Sequence, residues 1–327
     1  MLNNKSILIT GGTGSFGQKC VKTILEKFPR IKKLVVFSRD ELKQFEMMGK
    51  FTKKSHKSLR FFLGDIRDKD RLSIALDDID YVIHAAALKQ VPAAEYNPFE
   101  FIKTNVVGSN NLIECCINKN VKKIIALSTD KAAAPVNLYG ATKLCADKLF
   151  IAANNIVGKR NISFSVVRYG NVMGSRGSVI PLFMNKKKYE PFKITNSNMT
   201  RFNITLQEGV DFVLYCLKNS LGKEIFVPKL SSYNIIDIAS AIDKKAKVKI
   251  IGVRPGEKLH EELITFSDSF NTLESRNFYI ILPKLKSFKK FIKKFKSKKL
   301  LKPFSYNSRD NKKKLNISQI KNLFKSY

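Results

Sequence analysis

The sequence predicts an α/β protein with a doubly wound parallel sheet and a smaller, mixed domain towards its carboxyl end. Three observations support this prediction: six short apolar runs in the first 170 residues, helical patterns between them, and a glycine-rich turn directly after the first run. Apolar runs without alternation are typical of strands that are buried on both faces. Their alternation with helical segments is typical of βαβ units, which build parallel sheets.

The predicted elements follow in order along the chain. The six predicted strands are Ser6–Thr10, Leu34–Phe37, Arg60–Leu63, Tyr81–His84, Lys123–Leu127 and Ser163–Val167. Apolar residues at helical spacing predict helices from about Gln18 to Lys27 and from Asn105 to Asn118. After residue 170 the alternation weakens, so we expect a first domain at 1–170 and an interleaved second domain at 171–327. We expect residues 203–243 to pack back on the first domain.

The charge of the chain is its most unusual property. Its 327 residues include 60 Lys+Arg and 27 Asp+Glu, which gives a net charge of +33. The apolar fraction of 44% excludes a disordered basic protein. The cations are 48 lysines and only 12 arginines, beside 25 asparagines, whereas proteins that recognise specific nucleic acids rely on arginine. We therefore interpret the excess as compositional drift and expect no specific nucleic-acid partner.

One lysine-rich segment needs its own interpretation. Between Lys284 and Lys302 there are ten lysines and no acidic residue, and three phenylalanines and Ile292 follow helical spacing. Such a basic amphipathic helix can bind an anionic membrane or nucleic acid. We favour the alternative that its apolar stripe docks on the second domain, as surface helices commonly do.

Compartment and metal content follow from the other sequence features. The chain contains no apolar run of about 18 residues, so we expect no membrane span. The amino-terminal residues lack signal-peptide features, and the five cysteines show no disulfide or metal spacing. His56, His84 and His260 are too dispersed to suggest a metal site. We therefore expect a cytoplasmic protein without a metal.

The turn after the first predicted strand is a candidate phosphate-binding loop. Glycines at positions 11, 14 and 17 lie between a strand and a helix. Gly11 permits the tight turn, Gly14 lets the backbone approach a pyrophosphate, and Gly17 lets the helix pack closely on the strand. Thr13, Ser15 and Phe16 lie in the same loop, whose helix begins facing the phosphates. The loop therefore predicts a Rossmann-type dinucleotide site.

The ends of the next strands favour NADP as the dinucleotide. Ser38, Arg39 and Lys43 supply a hydroxyl and two cations that suit a 2′-phosphate. Asp40 is the counter-argument, because an acidic residue there can bind a free 2′-hydroxyl, although it can also cap the next helix. Asp65 and its neighbour Ile66 follow the third strand, where Asp65 can accept from the adenine amino group or simply form a turn.

Small residues follow the fourth predicted strand. We expect Ala85, Ala86 and Ala87 to let the cofactor lie close to the backbone. His84, at the end of the strand, is expected to be a core histidine with satisfied hydrogen bonds rather than a catalyst.

The residues after the fifth predicted strand carry the chemistry. Thr129, Asp130 and Lys131 precede Tyr139 and Lys143, which are four residues apart on one face of a predicted helix. A lysine beside a tyrosine is expected to lower the pKa of the phenol. The pair can then take the proton of a hydroxyl group while its carbon gives a hydride to nicotinamide.

These motifs together resemble the extended short-chain dehydrogenase/reductase family. Within it the chain closely resembles the inverting UDP-N-acetylglucosamine 4,6-dehydratases. The resemblance runs from residue 7 to about 265. Besides the glycine loop, it rests on six stretches, which are 38–44, 84–98, 128–143, 168–178, 199–202 and 254–262. The enzymes for glucose and mannose nucleotides usually have Thr-Asp-Glu where this chain has Thr129-Asp130-Lys131, which favours the inverting subgroup.

The resemblance implies a reaction and roles for the site residues. It implies one tightly bound NADP that is recycled within each turnover of UDP-N-acetylglucosamine, with Tyr139 as the base at the C4 hydroxyl. Thr129 would bind the C4 oxygen, and Lys143 would also bind the nicotinamide ribose. Lys131 would remove the C5 proton, which needs a neutral amine and a depressed pKa, and Asp130 would protonate the leaving C6 hydroxyl. Alternatively, Asp130 only orients Lys131, or Lys131 only binds substrate.

The resemblance also implies ligand contacts and an assembly. The implied substrate contacts are Lys89, Lys131, Asn171, Thr200, Arg201, Arg254 and Glu257, of which Lys89 also contacts the cofactor. The arginines suit the diphosphate and Glu257 a ribose hydroxyl, although each can instead form a structural ion pair. The implied product serves pseudaminic acid or related surface-glycan synthesis, and the implied assembly is a homo-oligomer, either a dimer or a hexamer.

Three other functions remain open from the sequence. A nucleotide-sugar 4-epimerase of the same fold would use Tyr139 and Lys143 but would not need the pair at 130 and 131. A non-catalytic NADP-binding protein or a basic nucleic-acid binder is the alternative from another class.

Overall fold

A computed structural model describes most of the chain. The described residues are 2–51, 57–174, 179–186, 190–283 and 288–324. Three parts of the sequence predictions lie outside the described residues. They are His56, the end of the stretch 168–178 and the first residues of the lysine-rich segment.

A ten-stranded sheet forms the centre of the structure. From one edge to the other its strands are β16 (Lys298–Lys299), β14 (Thr272–Glu274), β15 (Phe278–Ile281), β10 (Ile225–Pro228), β6 (Ser163–Tyr169), β5 (Lys123–Thr129), β4 (Tyr81–His84), β1 (Ser6–Thr10), β2 (Lys33–Ser38) and β3 (Leu59–Leu63). The seven strands from β10 to β3 are parallel, and β15, β14 and β16 extend the sheet in antiparallel fashion. The predicted doubly wound parallel sheet is therefore confirmed.

Helices connect the parallel strands. They are α1 (Ser15–Lys27), α2 (Glu41–Gly49), α3 (Lys69–Ala75), α4 (Val91–Tyr96), α5 (Pro98–Phe101), α6 (Gly108–Asn118), α7 (Leu138–Ala153) and α9 (Leu206–Asn219). Helix α1 packs against α9, whereas α3, α6 and α7 form a second packed group. The helix predicted from Asn105 begins instead within a π-helical turn, Ile102–Val107, which runs directly into α6.

A second hydrophobic core lies in the mixed part of the chain after residue 170. Its elements are β7 (Asn171–Val172), α8 (Val179–Met184), β8 (Phe192–Ile194), β9 (Thr200–Ile204), β11 (Ser231–Asn234), α10 (Ile235–Ile242), β12 (Val248–Ile250) and α13 (Ile317–Phe324). Strands β11, β9 and β7 form one small sheet, and β12 pairs with β8. Phe183, Phe192, Ile238 and Ile320 are buried in this core. The division at residue 170 itself stays a prediction.

The chain crosses more than once between the two cores. Helix α9 and β10 return to the large sheet, as do β14, β15 and β16. The remaining short elements are β13 (Glu262–Ile264), α11 (Phe266–Ser269), α12 (Phe288–Phe295) and β17 (Tyr306–Asn307), and β13 pairs with β17.

The lysine-rich helix docks its apolar stripe on the large sheet. Phe288, Phe291 and Phe295 of α12 are buried in the main core. The ring centroid of Phe295 lies 5.5 Å from that of Phe226 on β10 and 5.8 Å from that of Phe278 on β15. The expected docking of the apolar stripe is confirmed, and its partners β10 and β15 lie within residues 171–327 of the sequence but are strands of the large sheet.

The parallel strands end at one edge of the sheet and place their following loops together. The strand order reverses between β1 and β4, where open α/β sheets form their ligand crevice. Within the described residues, no helix has the length and apolar character needed to cross a membrane.

Candidate active site

A cleft of about 1410 Å³ opens above the carboxyl ends of the parallel strands. The predicted site residues that line it are Gly11, Thr13, Gly14, Ser15, Phe16, Gly17, Ser38, Arg39, Lys43, Asp65, Ile66, Ala85, Ala86, Ala87, Lys89, Thr129, Asp130, Lys131, Tyr139, Lys143 and Asn171. The sheet therefore brings together residues that are up to 160 positions apart in the sequence.

The glycine loop has the geometry that its sequence predicts. Gly11 has φ +66°, and a Cβ atom there would lie 2.8 Å from the backbone nitrogen of Ala86. A Cβ atom on Gly17 would lie 2.4 Å from the carbonyl oxygen of Gly12, so only glycine lets α1 pack this closely. Gly14 is the N-cap of α1, and because it is a glycine no side chain caps the first N–H groups of the helix. The start of the helix thus fits a pyrophosphate, which its N–H groups and dipole would stabilise.

The end of β2 presents a cation to the cleft. The Asp40 Oδ1 atom accepts a hydrogen bond of 3.0 Å from the Lys43 backbone, so Asp40 caps α2. Its other carboxylate oxygen pairs with the Lys43 ammonium. Arg39 is half exposed, and its Nη1 atom lies 3.6 Å from the Asp65 carboxylate. Asp40 is therefore engaged by α2, and Arg39 and Lys43 each lie beside a carboxylate at the cleft.

Asp65 forms a turn at the wall of the cleft, and its contact with adenine stays a prediction. It lines the cleft, and it also forms a turn in which its Oδ1 accepts from the Arg67 backbone at 2.9 Å and its Oδ2 from Arg67 Nη2 at 2.8 Å. Burial opposes ionisation, but the hydrogen bonds and charge of Arg67 hold the pKa of Asp65 below its usual value. Asp65 is therefore an anion that is held in place at the cleft wall.

The loop after β5 concentrates the reactive groups. Asp130 is completely buried, and its Oδ1 atom accepts from Thr129 Oγ1 at 3.0 Å and from Lys131 Nζ at 2.9 Å. Burial and the nearby charge of Glu261 raise the pKa of Asp130. A raised pKa is what a general acid needs, because the group must hold a proton when the leaving group departs.

Glu261 is a charged residue of this site that the sequence analysis missed. It is buried, and its Oε1 atom lies 3.2 Å from Lys131 Nζ and 3.4 Å from Arg201 Nε. The available signal was an acidic pair, Glu261 and Glu262, inside the stretch 254–262 that carries the resemblance. No local pattern shows that this segment reaches across the molecule to Lys131.

The ionisation expected for Lys131 is wrong for this structure. Burial disfavours the ammonium ion, but the carboxylates of Asp130 and Glu261 outweigh it and raise the pKa of Lys131. The depressed pKa was expected because removal of the C5 proton needs a neutral amine. With two carboxylates in contact, Lys131 is an ammonium ion in the resting site.

Tyr139 and Lys143 lie on α7 as predicted, but the expected effect of Lys143 on the phenol is also wrong. Burial raises the pKa of Tyr139 to about 12, and the charge of Lys131 and a hydrogen bond with Thr129 act in the opposite direction. Lys143 is buried, donates to the Leu127 carbonyl oxygen at 2.8 Å, and has a pKa lowered mainly by burial. For the pKa of Tyr139, burial outweighs the charge of Lys143 on the same helix, because burial removes water from the phenol itself.

Four predicted substrate residues lie away from the lining of the cleft. Thr200 and Arg201 are buried, and the Arg201 guanidinium lies 3.6 Å from Glu257 as well as contacting Glu261. Arg254 is exposed on its loop, and Glu257 lines a smaller cavity of about 450 Å³. Their roles in substrate binding stay predictions.

Two buried residues support the cleft from behind. Asn105, in the π-helical turn, accepts from the Leu88 N–H and donates to the Leu88 carbonyl oxygen, both at 2.9 Å, and thereby fixes the backbone next to Lys89. His84 is a core histidine, as expected: its Nδ1 atom lies 2.7 Å from Thr10 Oγ1 and its ring is buried.

The comparison with protein families decides the family of this chain. The model of the family described as "Polysaccharide biosynthesis protein" matches residues 7–283. The chain belongs to this family. An inverting UDP-N-acetylglucosamine 4,6-dehydratase of Campylobacter jejuni subsp. jejuni serotype O:23/36 (strain 81-176) is 54% identical over 88% of this chain and 85% of the relative. The resemblance to nucleotide-sugar dehydratases is thereby confirmed.

Other relatives and solved structures share the fold. A UDP-glucose 4-epimerase of Rickettsia akari (strain Hartford) is 39% identical over 99% of this chain and 96% of the relative. The X-ray structure of Pen from Bacillus thuringiensis matches 100% of this chain and 99% of that chain, with 36% identity and a TM-score of 0.90. A dTDP-glucose 4,6-dehydratase from Streptomyces venezuelae, solved with NAD bound, covers 78% of this chain and 86% of its own, at 21% identity and a TM-score of 0.68. This Rossmann fold therefore holds a nicotinamide cofactor in a structural neighbour.

Proposed function

We propose that this protein is a UDP-N-acetylglucosamine 4,6-dehydratase that inverts C5. The observation that supports this most is the hydrogen-bonded pair of Asp130 and Lys131, which lines the same cleft as Tyr139. An elimination of water across C5 and C6 needs a base and an acid in addition to the tyrosine, and this pair supplies both. The Campylobacter relative, 54% identical, carries the same activity in its name.

The cofactor would be NADP, held by the glycine loop and by Arg39 and Lys43. When bound, its nicotinamide would supply reversible hydride chemistry, so that no cofactor is consumed over a turnover. Tyr139 takes the proton of the C4 hydroxyl, and Thr129, which contacts Tyr139 and Asp130, binds the C4 oxygen. The resulting ketone acidifies the C5 proton, which Lys131 removes while Asp130 protonates the leaving C6 oxygen. Reprotonation of C5 on the other face gives the inverted 4-keto-6-deoxy sugar.

The resting pair must first exchange one proton. Lys131 rests as an ammonium ion, whereas the elimination needs a neutral amine beside a neutral acid. Transfer of one proton along the 2.9 Å hydrogen bond from Lys131 Nζ to Asp130 Oδ1 produces both at once, without exchange with solvent. The raised pKa of Asp130 reduces the cost of this transfer, whereas the raised pKa of Lys131 increases it.

The deciding experiment is incubation of the protein with UDP-N-acetylglucosamine in water without added reductant. Proton NMR is expected to show a C6 methyl doublet and a ketosugar inverted at C5. In D2O, Lys131→Ala is expected to abolish deuterium incorporation at C5, and incorporation at the wild-type rate would show that Lys131 is not the base. Unchanged substrate would overturn the proposed function.

A nucleotide-sugar 4-epimerase is the second candidate, because the Rickettsia relative carries that kind of name at 39% identity. An epimerase returns the hydride to C4 and leaves the C6 hydroxyl in place, so Asp130 and Lys131 would have no substrate proton to move. A C4 epimer without a C6 methyl signal in the same NMR experiment would decide for this candidate.

The preference for NADP over NAD has a separate test. Arg39 and Lys43 supply positive charge where the 2′-phosphate would lie, and Asp40 is engaged in capping α2. NADP(H) is expected to bind more tightly than NAD(H) in a titration, and Arg39→Ala is expected to remove about 1–3 kcal/mol of that preference. Tighter binding of NAD(H) by the wild type would contradict the assignment.

The wider setting follows from the chemistry. A 4-keto-6-deoxy sugar nucleotide suits an aminotransferase as the next enzyme, in agreement with pseudaminic acid or a related surface glycan as the end product. The family description, polysaccharide biosynthesis, supports this placement. A cytoplasmic homo-oligomer, a dimer or a hexamer, stays a prediction from the sequence.

A further inference from the structure

Glu261 occupies a fixed position between two cations of the site. Its Oε1 atom lies 3.2 Å from Lys131 Nζ and 3.4 Å from Arg201 Nε. Its backbone is fastened to Ser308, whose Oγ accepts from the Glu261 N–H at 2.9 Å and whose N–H donates to the Glu261 carbonyl oxygen at 2.8 Å. Only 3% of its side chain is exposed, and its Oε2 atom has no hydrogen-bond partner among the described residues.

We propose that Glu261 is a positioning residue that holds the Lys131 amine in place and keeps it an ammonium ion until the substrate binds. This inference rests on the proposed function, in which Lys131 exchanges protons with Asp130 and with C5. Lys131 lies between two carboxylates, and Asp130 can receive its proton over 2.9 Å whereas Glu261 is also held by Arg201. Glu261 therefore anchors the amine, and Asp130 exchanges the proton.

The charges around Lys131 support this division of roles. Despite burial, the charges of Lys131 and Arg201 lower the pKa of Glu261, whereas burial and Glu261 raise the pKa of Asp130. Glu261 thus stays an anion under conditions in which Asp130 accepts a proton. The other titratable or charged groups that face Lys131 are Lys89, Tyr139, Arg201, Tyr233 and Lys258.

Competitive acetylation of lysines in the full-length protein tests the proposal without substrate. Trace acetic anhydride reacts with the neutral amine, and peptide mass spectrometry gives the labelling of Lys131 relative to the exposed Lys290. Glu261→Gln keeps the shape and removes the charge, so labelling of Lys131 at pH 9 is expected to rise about tenfold or more, since one pKa unit is tenfold in neutral amine. Glu261→Asp, which keeps the charge, is expected to stay near the wild-type level.

Glu224→Gln is the matched control. Glu224 is also buried and has one carboxylate oxygen without a hydrogen-bond partner, but it lies at the start of β10, away from the residues that line the cleft. Its substitution is expected to leave the labelling of Lys131 unchanged. Equal labelling in the folded Glu261→Gln variant and the wild type would overturn the proposal.

If Glu261→Gln does not fold, Arg201→Gln is used instead. In this variant the acetylation of Lys131 is expected to fall below the wild-type level. Unchanged or increased acetylation would overturn the proposal.

A second measurement separates this proposal from the proposed function. In Glu261→Gln the acidic limb of the kcat profile is expected to move to lower pH by about one unit, with KM changed less than about threefold. A merely structural role would lower kcat at every pH without moving the limb. If the wild type forms no ketosugar, the proposed function fails, whereas the labelling of Lys131 still reports whether Glu261 governs the amine.

Discussion

Burial sets the ionisation of the residues under and around the cleft before any ligand is present. It raises the pKa of Tyr139 to about 12 and lowers that of His84 to about 3, where the charge of Lys143 adds to the effect. The pKa values of Lys131, Asp65 and Glu261 move the other way, because partners of opposite charge outweigh burial. The direction of each change therefore depends on whether a buried group has a partner of opposite charge.

His84 is expected to make the fold sensitive to acid. The unfolded chain binds a proton to this histidine below about pH 6.5, whereas the folded protein keeps it neutral down to about pH 3. Its contribution to stability is therefore complete above pH 6.5 and is lost as the pH falls from 6.5 towards 3. The free energy of unfolding should drop by up to about 1.4 kcal/mol per pH unit from this residue. His84→Gln is expected to remove that component in urea unfolding curves recorded from pH 4 to 7.

His260 provides a control for this acid effect. It too contacts a threonine hydroxyl, with Nδ1 2.9 Å from Thr200 Oγ1, but it is only partly buried. The His260→Gln variant should keep most of the pH dependence of the wild type. An unchanged slope in His84→Gln would show that the acid sensitivity arises elsewhere.

The first turn of α7 positions the reactive loop through a close backbone contact. Asn137 caps the helix by accepting from the Gly140 N–H at 2.8 Å, and a Cβ atom on Gly140 would lie 2.2 Å from the Lys131 carbonyl oxygen. Lys131 and Tyr139 are therefore held together by a helix start that tolerates no side chain at position 140.

Gly140→Ala is expected to disturb both stability and catalysis. The added methyl group must push the Lys131 backbone away, which should cost about 1–3 kcal/mol in unfolding experiments and lower kcat tenfold or more. Gly209→Ala is the matched control in the first turn of α9, where the new Cβ atom would lie 3.8 Å from its nearest neighbour, Ile204 Cδ1. That variant should be unchanged or more stable by up to about 1 kcal/mol. Equal behaviour of the two variants would contradict the close-contact argument.

Helix α12 contributes to stability through its apolar side. Phe291 is buried against the main core, whereas Lys290 is exposed on the same helix. Phe291→Ala is expected to lower the free energy of unfolding by about 3–5 kcal/mol, and Lys290→Ala by less than about 0.5 kcal/mol, both measured by urea denaturation. A small effect of Phe291→Ala would show that the helix is loosely attached. It would then favour the alternative that the helix binds an anionic membrane or nucleic acid.

The net charge of +33 acts on the molecule as a whole. The cleft uses few of these cations, and most lysines lie outside the recognisable motifs. A positive field of this size attracts a doubly anionic sugar nucleotide from solution. Drift in composition and faster capture of substrate are therefore compatible explanations of the same charge.

Salt is expected to separate substrate capture from the later steps. Between about 0.05 M and 0.5 M salt, kcat/KM for UDP-N-acetylglucosamine should fall several-fold because ions screen the long-range attraction. The buried pairs of the site are screened much less, so kcat should change little over the same range. A kcat/KM that does not depend on salt would show that the excess of lysine has no role in capture.

The sequence by itself determined the sheet and the floor of the site. Each predicted strand lies within an observed strand, because buried parallel strands leave a local signature of short apolar runs. The glycine loop and the positions of Asp130, Lys131 and Tyr139 were also predictable, since each depends on a few neighbouring residues at the end of one strand.

Only the tertiary structure decided which charges meet and which surfaces are covered. Glu261 reaches Lys131 from 130 positions along the chain, and its charge adds to that of Asp130 in raising the pKa of the amine. The burial of Phe295 likewise depends on Phe226 and Phe278, which the fold brings to the same side of the large sheet. Local periodicity reports which face of an element is apolar, whereas ionisation and docking depend on distances between segments that are remote in sequence.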